Sequence, residues 1–404
     1  MRDDLGPYHS ECFEGALPNI TLRLRGVSRL ILLTWIPLLL LSILSGHAFA
    51  GLVDVPLLHD PAVFGRYLFV LPLLQQGESM VIIFLTIQIR HFIESGIVPE
   101  AERSRFESLR SNLLRPRASA LNTVVVVALS YFISWALSVA GLGSPHSTWE
   151  LQHSTITPAG WWYILVSKPI FFFFLIRGVW IFVLWSYFLF RVSSLDLQLT
   201  PIHPDRAGGL GFLGWGLASF STLLMAVSAV FSSGFAYEIL HRSQSLNSLK
   251  YHMAVFIVIA MAVLHAPLLS FSGRLSRRRF QGLFDYSTLV LRYGIEFDKK
   301  WIQTPTIEHR TRRLRSRDVP LLEDIGTASD HVDDAKLLIH DANIIKRDEA
   351  IAAAYNQVNN MRLLPFDKQT FVLLVVAVLL PMIPLLGTTI PLKDIMMKLG
   401  ELLF

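Results

Sequence analysis

Several stretches of the sequence place charge where an apolar chain resists it. In "LLQQGESMV" the polar residues Gln75, Gln76, Glu78 and Ser79 fall inside a run otherwise built of leucine, valine and methionine. "KPIFFFFLIRGVWIFVLW" carries Lys168 and Arg177, and "LHAPLL" carries His265 two residues before Pro267. A charged side chain at the centre of a bilayer costs roughly 3 kcal/mol on insertion scales, so each of these needs a partner or water. Two chemistries would meet that need. Glu78, Lys168, Arg177 and His265, with Gln75 and Gln76, line a path or site for an ion or small anionic solute. Alternatively, Glu78 pairs with Lys168 or Arg177 to fix helix packing, with Arg177 reaching toward the inner interface. At 1.5 Å per residue, Lys168 lies about 10 Å below the outer end of its helix and Arg177 about 13 Å deeper. Both readings stay open on the sequence.

A second candidate is "HPDRAGGLGFLGWG", residues 203–216. Pro201 and Pro204 keep helix out of the residues before it, and Asp205 is a fitting cap for the helix after it. A nucleotide-binding loop is excluded: no strand leads into it and no Gly-Lys-Ser/Thr lies beyond it. Three uses remain for His203, Asp205, Arg206, Gly208 and Gly209. The small residues let a helix pack closely on its neighbour. Backbone N–H groups and Arg206 present themselves to an anion at a helix start. Or His203 and Asp205 begin a metal site, for which two ligands are too few. No cofactor and no metal are expected, and an enzyme is not the favoured class.

The elements that must hold these residues are membrane helices. The chain has 404 residues, 52% hydrophobic and 17% charged, far too apolar for an ordinary soluble domain. Seven segments are long enough to cross a bilayer, at about 20 residues each. They are Leu30–Ala50, Tyr67–Ile89, Ala118–Leu142, Trp161–Phe190, Gly211–Leu240, His252–Ser272 and Phe371–Ile390. Period-two alternation is absent, so these are helices, with every backbone group bonded internally. The fold expected is all-α: a polytopic transmembrane helix bundle with a small, mostly α cytoplasmic insert. It divides into an N-terminal cytoplasmic segment (1–29), a six-helix region (30–272), a cytoplasmic module (273–369), a last span (370–390) and an amphipathic C-terminal helix (391–404). The first span reads as retained, since it lacks a clear cleavage site. Cys12 is the only cysteine, so no disulfide forms within the chain.

Arginine sets the orientation. Arg23, Arg25 and Arg29 precede the first span, and Arg90, Arg103, Arg105, Arg110, Arg115 and Arg117 separate the second from the third. Arg274, Arg277, Arg278 and Arg279 come after the sixth, whereas residues 143–159 hold no lysine or arginine. The N-terminus and the basic loops are therefore expected inside. Pro381 and Pro384 bend the last span, which is expected to cross. Beyond it, Leu392, Ile395, Met396, Leu399, Leu402 and Leu403 share one helical face, suited to the membrane interface or to a seam between copies of a homo-oligomer. In the insert, Asp330, His331, Asp333, Asp334, His340 and Asp341 match no metal-ligand spacing and read as a solvated face. The run Arg310–Arg317 suits lipid headgroups or the acidic helix downstream. Nucleic acid is not expected as a partner, because no aromatics interleave the arginines.

Two stretches, "TPIHPDRAGGLGFLG" and "NNMRLLPFDKQTFVLLVVAVLLPMIPLLG", resemble a family of polytopic bacterial inner-membrane proteins. The resemblance covers parts of the second half of the chain. It implies a bacterial inner (plasma) membrane location and brings no activity with it. Retinal-lysine, zinc-protease and Gly-x-Ser-x-Gly motifs are missing from the spans. The reading with most support is a channel or transporter for an ion or small anionic solute. The alternatives are a sensor or scaffold acting through its cytoplasmic module, and a membrane-embedded lipid-processing enzyme built on His203, Asp205 and Arg206.

Overall fold

The computed structural model describes residues 20–49, 53–118, 120–141, 147–152, 155–242, 244–299 and 350–386. Among them, seven helices are long and apolar enough to cross a membrane. The chain is thus a multi-pass, all-α membrane protein. The spans are α1 (Gly26–Leu44), α2 (Pro61–Glu94), α4 (Ala120–Val139), α5 (Pro158–Val192), α6 (Phe212–Arg242), α7 (Leu246–Leu269) and α10 (Lys368–Leu385). Outside them lie α3 (Glu100–Ala118), α8 (Ser272–Phe297) and a helix over 350–359, α9. The acidic and basic motifs of residues 310–341 and the C-terminal amphipathic segment lie outside the described residues.

The described residues form two compact units. The first lies within residues 20–198, 212–270 and 366–386, the second within 199–211, 271–299 and 350–365. At the centre of the first unit, α2 packs on α5 and α6, α4 runs along α5, and α10 runs along α6. Gly77 makes the α2–α6 approach possible, since a Cβ there would meet the Leu223 side chain at 2.8 Å.

Two wide helical turns shape the helices that carry Glu78 and Arg177. Residues Gly65–Val70 and Tyr163–Ser167 form π turns, closed by Leu71 N–H on the Arg66 carbonyl and Lys168 N–H on the Tyr163 carbonyl. Pro72 and Pro169 come immediately after. A proline cannot donate to the ladder and crowds the carbonyl one turn back, and the wider turn relieves both. The turns face each other, with Arg66 donating to the Tyr163 hydroxyl at 3.0 Å. At this end Asp60 caps α2 by accepting from Ala62 N–H and also accepts from the Trp149 indole at 3.0 Å. A two-residue hairpin, β1 (Leu151–Gln152) and β2 (Thr155–Ile156), leads into α5, which Thr157 caps.

The other end is basic. Here α3 climbs antiparallel to α2: Arg103 and Gly96 line one cavity, while Arg110, Arg90 and Thr86 line another. Phe106 of α3 is wedged beside Phe92 and Phe188, with ring centres 5.7 and 5.8 Å away. The final span is helical to Leu379, makes a 3₁₀ turn over Leu380–Met382 and resumes at Ile383. Pro381 and Pro384 remove two ladder donors in this stretch. Ser228 and Ser232 of α6 donate instead to the carbonyls of Val378 and Pro381, each at 2.5 Å.

In the second unit, Gly208 lies against Leu199, Leu275 and Met361, so the glycine loop is enclosed by the start of α8 and the chain after α9. The Arg279 guanidinium donates to the Asn359 carbonyl at 2.8 Å, tying α8 to the end of α9.

Candidate functional site

Glu78 and Arg177 meet. Gln75, Glu78 and Ser79 share a turn of α2, and Arg177 projects from the facing stretch of α5 to donate to the Glu78 carboxylate. The pair is lopsided: the Glu78 side chain is 9% exposed, that of Arg177 39%. Arg177 also lies over the Phe173 ring, its guanidinium carbon 5.3 Å from the centroid. A cavity of about 160 Å³ opens beside the pair, lined by Glu78 and Arg177 with Asn122, Thr123, Phe173 and Trp180. The Trp180 indole N–H is buried and has no partner among the described residues. One oxygen of Glu78 accepts from Arg177; Arg177 and Trp180 offer donors only, Asn122 and Thr123 each a donor and an acceptor, and Val126 and Ile181 complete the lining.

Neighbouring helices mark the level of the pair along the bundle. Glu78 stands near the midpoint of α2, which suggested mid-bilayer. However, α4 begins at Ala120, so Asn122 and Thr123 border the cavity within the first turn of that span. Gly26 of α1 lies against the Gln75 amide. From Arg177 up to Pro158 is 19 residues, about 29 Å, close to a full hydrocarbon thickness. Helices α2 and α5 continue past the pair toward the basic end.

The remaining candidates go elsewhere. Lys168 does not approach Glu78. Its ammonium lies 2.8 Å from Glu150 and 2.9 Å from the Ser138 hydroxyl, at the hairpin end. His265 does not join the pair either. Its Nδ1 donates to the Met261 carbonyl at 2.7 Å, and its ring packs against Phe366 and Phe371, 4.8 and 5.6 Å away. Gln75 keeps its amide oxygen buried without a partner among the described residues, and Gln76 is half-buried on the same helix.

The glycine loop proves to hold its own anion. Asp205 Oδ1 accepts from the N–H groups of Ala207 at 2.8 Å and Gly209 at 3.1 Å, and Oδ2 accepts from Gly211 N–H at 2.7 Å. Gly208 and Gly209 have φ of +66° and +94°, which turns these N–H groups inward. Partial burial pushes the Asp205 carboxyl up; the three backbone donors from Ala207, Gly211 and Gly209, with His203 beside them, outweigh it and hold the group below the usual carboxylate range. Asp205 thus caps the loop from within rather than leaving its N–H groups to an outside anion. The chain after α9 also meets the loop here: Arg362 N–H donates to the Arg206 carbonyl at 2.6 Å and its guanidinium to the Asp205 carbonyl at 2.7 Å.

One polar knot has no counterpart in the sequence reading. Gln88 is buried in α2, donates to the carbonyls of Phe212 and Leu213 at 3.2 and 3.4 Å, and accepts from the Trp185 indole at 3.2 Å. It binds α2, α5 and the start of α6, and Gly216 leaves the space that its amide fills. The signal available was a lone glutamine in an apolar run, close to the first arginine-rich loop. Among the described residues no three His, Cys, Asp or Glu side chains converge to hold a metal ion.

Comparisons of the chain with protein-family models, with curated proteins and with solved structures return no match.

Proposed function

We propose that this membrane protein forms a path for a small anionic solute, as a channel or transporter of a bacterial inner membrane, with the Glu78–Arg177 cavity as its binding position. The observation that carries the reading is the donor-rich lining. Arg177 keeps N–H groups beyond its bond to Glu78, Trp180 has an unpartnered N–H, and Asn122 and Thr123 add an amide and a hydroxyl. An anion satisfies all of these together, whereas a cation would compete with Arg177 for the single carboxylate. Arginine distribution makes the basic end the cytoplasmic side, and Arg103, Arg105 and Arg110 of α3 are paired there with Glu100, Glu102 and Glu107. The lipid-processing alternative has less behind it, because Asp205 is committed to the N–H groups of its own loop.

Purified protein in liposomes tests this. Anion flux above that of protein-free liposomes, reduced by Arg177→Gln, is the expected result. An absence of flux for chloride, nitrate, acetate and potassium under imposed gradients would overturn the reading.

A further inference from the structure

Helix α8 carries an apolar face that the other described residues of its own unit do not cover. The side facing that unit is marked by Leu275, fully buried, and by Gly282, which lies against Val358 and Pro201. A different face presents Phe280, Phe284, Leu291 and Ile295, exposed by 63%, 59%, 64% and 46%. These four fall at i, i+4, i+11 and i+15, so they form one stripe on a helix. Phe280 and Phe284 stack along it with ring centres 4.8 Å apart. Arg278, Gln281, Asp285 and Arg292 share the adjoining face, all exposed, and Arg277 stands at the edge of the stripe. Ser287 and Thr288 separate the two apolar pairs, and exposed apolar clusters of this kind mark contact surfaces.

We propose that α8 lies on the leaflet at which α7 ends, with Phe280, Phe284, Leu291 and Ile295 in the acyl boundary and Arg277, Arg278 and Arg292 among anionic headgroups. Three observations select a lipid surface as the occupant. First, α8 starts three residues after α7 ends at Leu269, which keeps its first turns within reach of the interface. Second, its exposed cations flank the stripe, the arrangement by which interfacial helices hold anionic lipid. Third, at 26 residues it is about 39 Å long, enough to present the stripe over several turns. The proposal is independent of any solute path through the bundle.

The full-length Cys12→Ser protein carries the test, with single cysteines from Phe284→Cys, Leu291→Cys and Asp285→Cys labelled with an environment-sensitive fluorophore. The vesicles contain phosphatidylcholine and phosphatidylglycerol. Labels at 284 and 291 should be quenched several-fold more by brominated acyl chains than the label at 285, which iodide should quench instead. Replacing phosphatidylglycerol with phosphatidylcholine, or adding Arg278→Glu with Arg292→Glu, should weaken the lipid quenching. Iodide quenching at 284 equal to that at 285 would overturn the proposal. So would shielding of 284 from both quenchers, the signature of a protein surface covering the stripe. Lipid quenching indifferent to headgroup charge would overturn the assignment of the arginines.

Discussion

Replacing Asp205 by alanine strips three backbone N–H groups of their acceptor at once. The bonds measure 2.8, 3.1 and 2.7 Å and all go to one carboxylate. Charge-assisted bonds contribute about 1.5–3 kcal/mol each where buried. The Asp205 side chain is 20% exposed, and water can reach part of the emptied loop, so about 2–3 kcal/mol is expected in total rather than the sum. At 1.4 kcal/mol per decade this is roughly a 30- to 150-fold faster opening. Hydrogen exchange at Ala207, Gly209 and Gly211 in the reconstituted protein reads it directly. Asparagine keeps the oxygen that serves Ala207 and Gly209 but turns an NH₂ toward Gly211, so Asp205→Asn should lose about half as much. Inorganic phosphate should restore protection in Asp205→Ala, by entering the emptied nest, and leave wild type unchanged. The depressed folded-state pKa fixes the sign with pH. The contribution is complete above the unfolded value of about 4 and fades as pH falls through the lower folded value. Wild-type exchange rates in Asp205→Ala, with no response to phosphate, would refute the reasoning.

Gln88→Leu should destabilise the first unit by about 3 kcal/mol, because it orphans the Trp185 N–H and two carbonyls in a buried site, with thermal unfolding as the readout. Lys168→Met breaks the ion pair to Glu150, whose side chain is 26% exposed and can hydrate, so a loss of about 1–2 kcal/mol with unchanged flux is expected; flux that falls as far as in Arg177→Gln would place Lys168 in the path. In the Cys12→Ser background, Ser245→Cys should react with an impermeant maleimide added from the periplasm and Ser104→Cys should not; the opposite pattern reverses the orientation.

Hydropathy alone located all seven spans, because a bilayer penalises every alternative to a continuous helix. Their ends were less legible. Helices α2 and α5 begin at Pro61 and Pro158, ahead of the apolar runs that open at Tyr67 and Trp161, and the π turns at Gly65–Val70 and Tyr163–Ser167 within them carry no hydropathy signal. Helix α3 was read only as a basic loop, since its arginines mark a side of the membrane and say nothing about shape. Residue type flagged Glu78 and Arg177 as needing partners, and depth along straight helices made either cation available to Glu78. What separated Lys168 from Glu78 is Glu150 in the short hairpin, a partner 18 residues away that spacing cannot announce. His265 looked functional because it is ionisable in a span. Its own helix takes Nδ1 through Met261 and aromatic neighbours take the ring, while Nε2 stays buried with no partner among the described residues. The glycine loop raised an anion question that only the folded position of Asp205 could answer.

The central claim is that Glu78 and Arg177 border a solute path rather than merely fasten α2 to α5. Its most direct test compares Glu78→Gln with the double substitution Glu78→Gln, Arg177→Gln in liposomes, measuring anion and cation flux beside a melting curve. Glutamine keeps the shape of Glu78 and removes its charge. A path predicts that Glu78→Gln alters anion selectivity or its pH dependence, because Arg177 is freed for the solute, and that the double variant loses anion flux. Flux unchanged in Glu78→Gln, together with a lowered melting temperature that the second substitution restores, would contradict the account and leave the pair a structural tie.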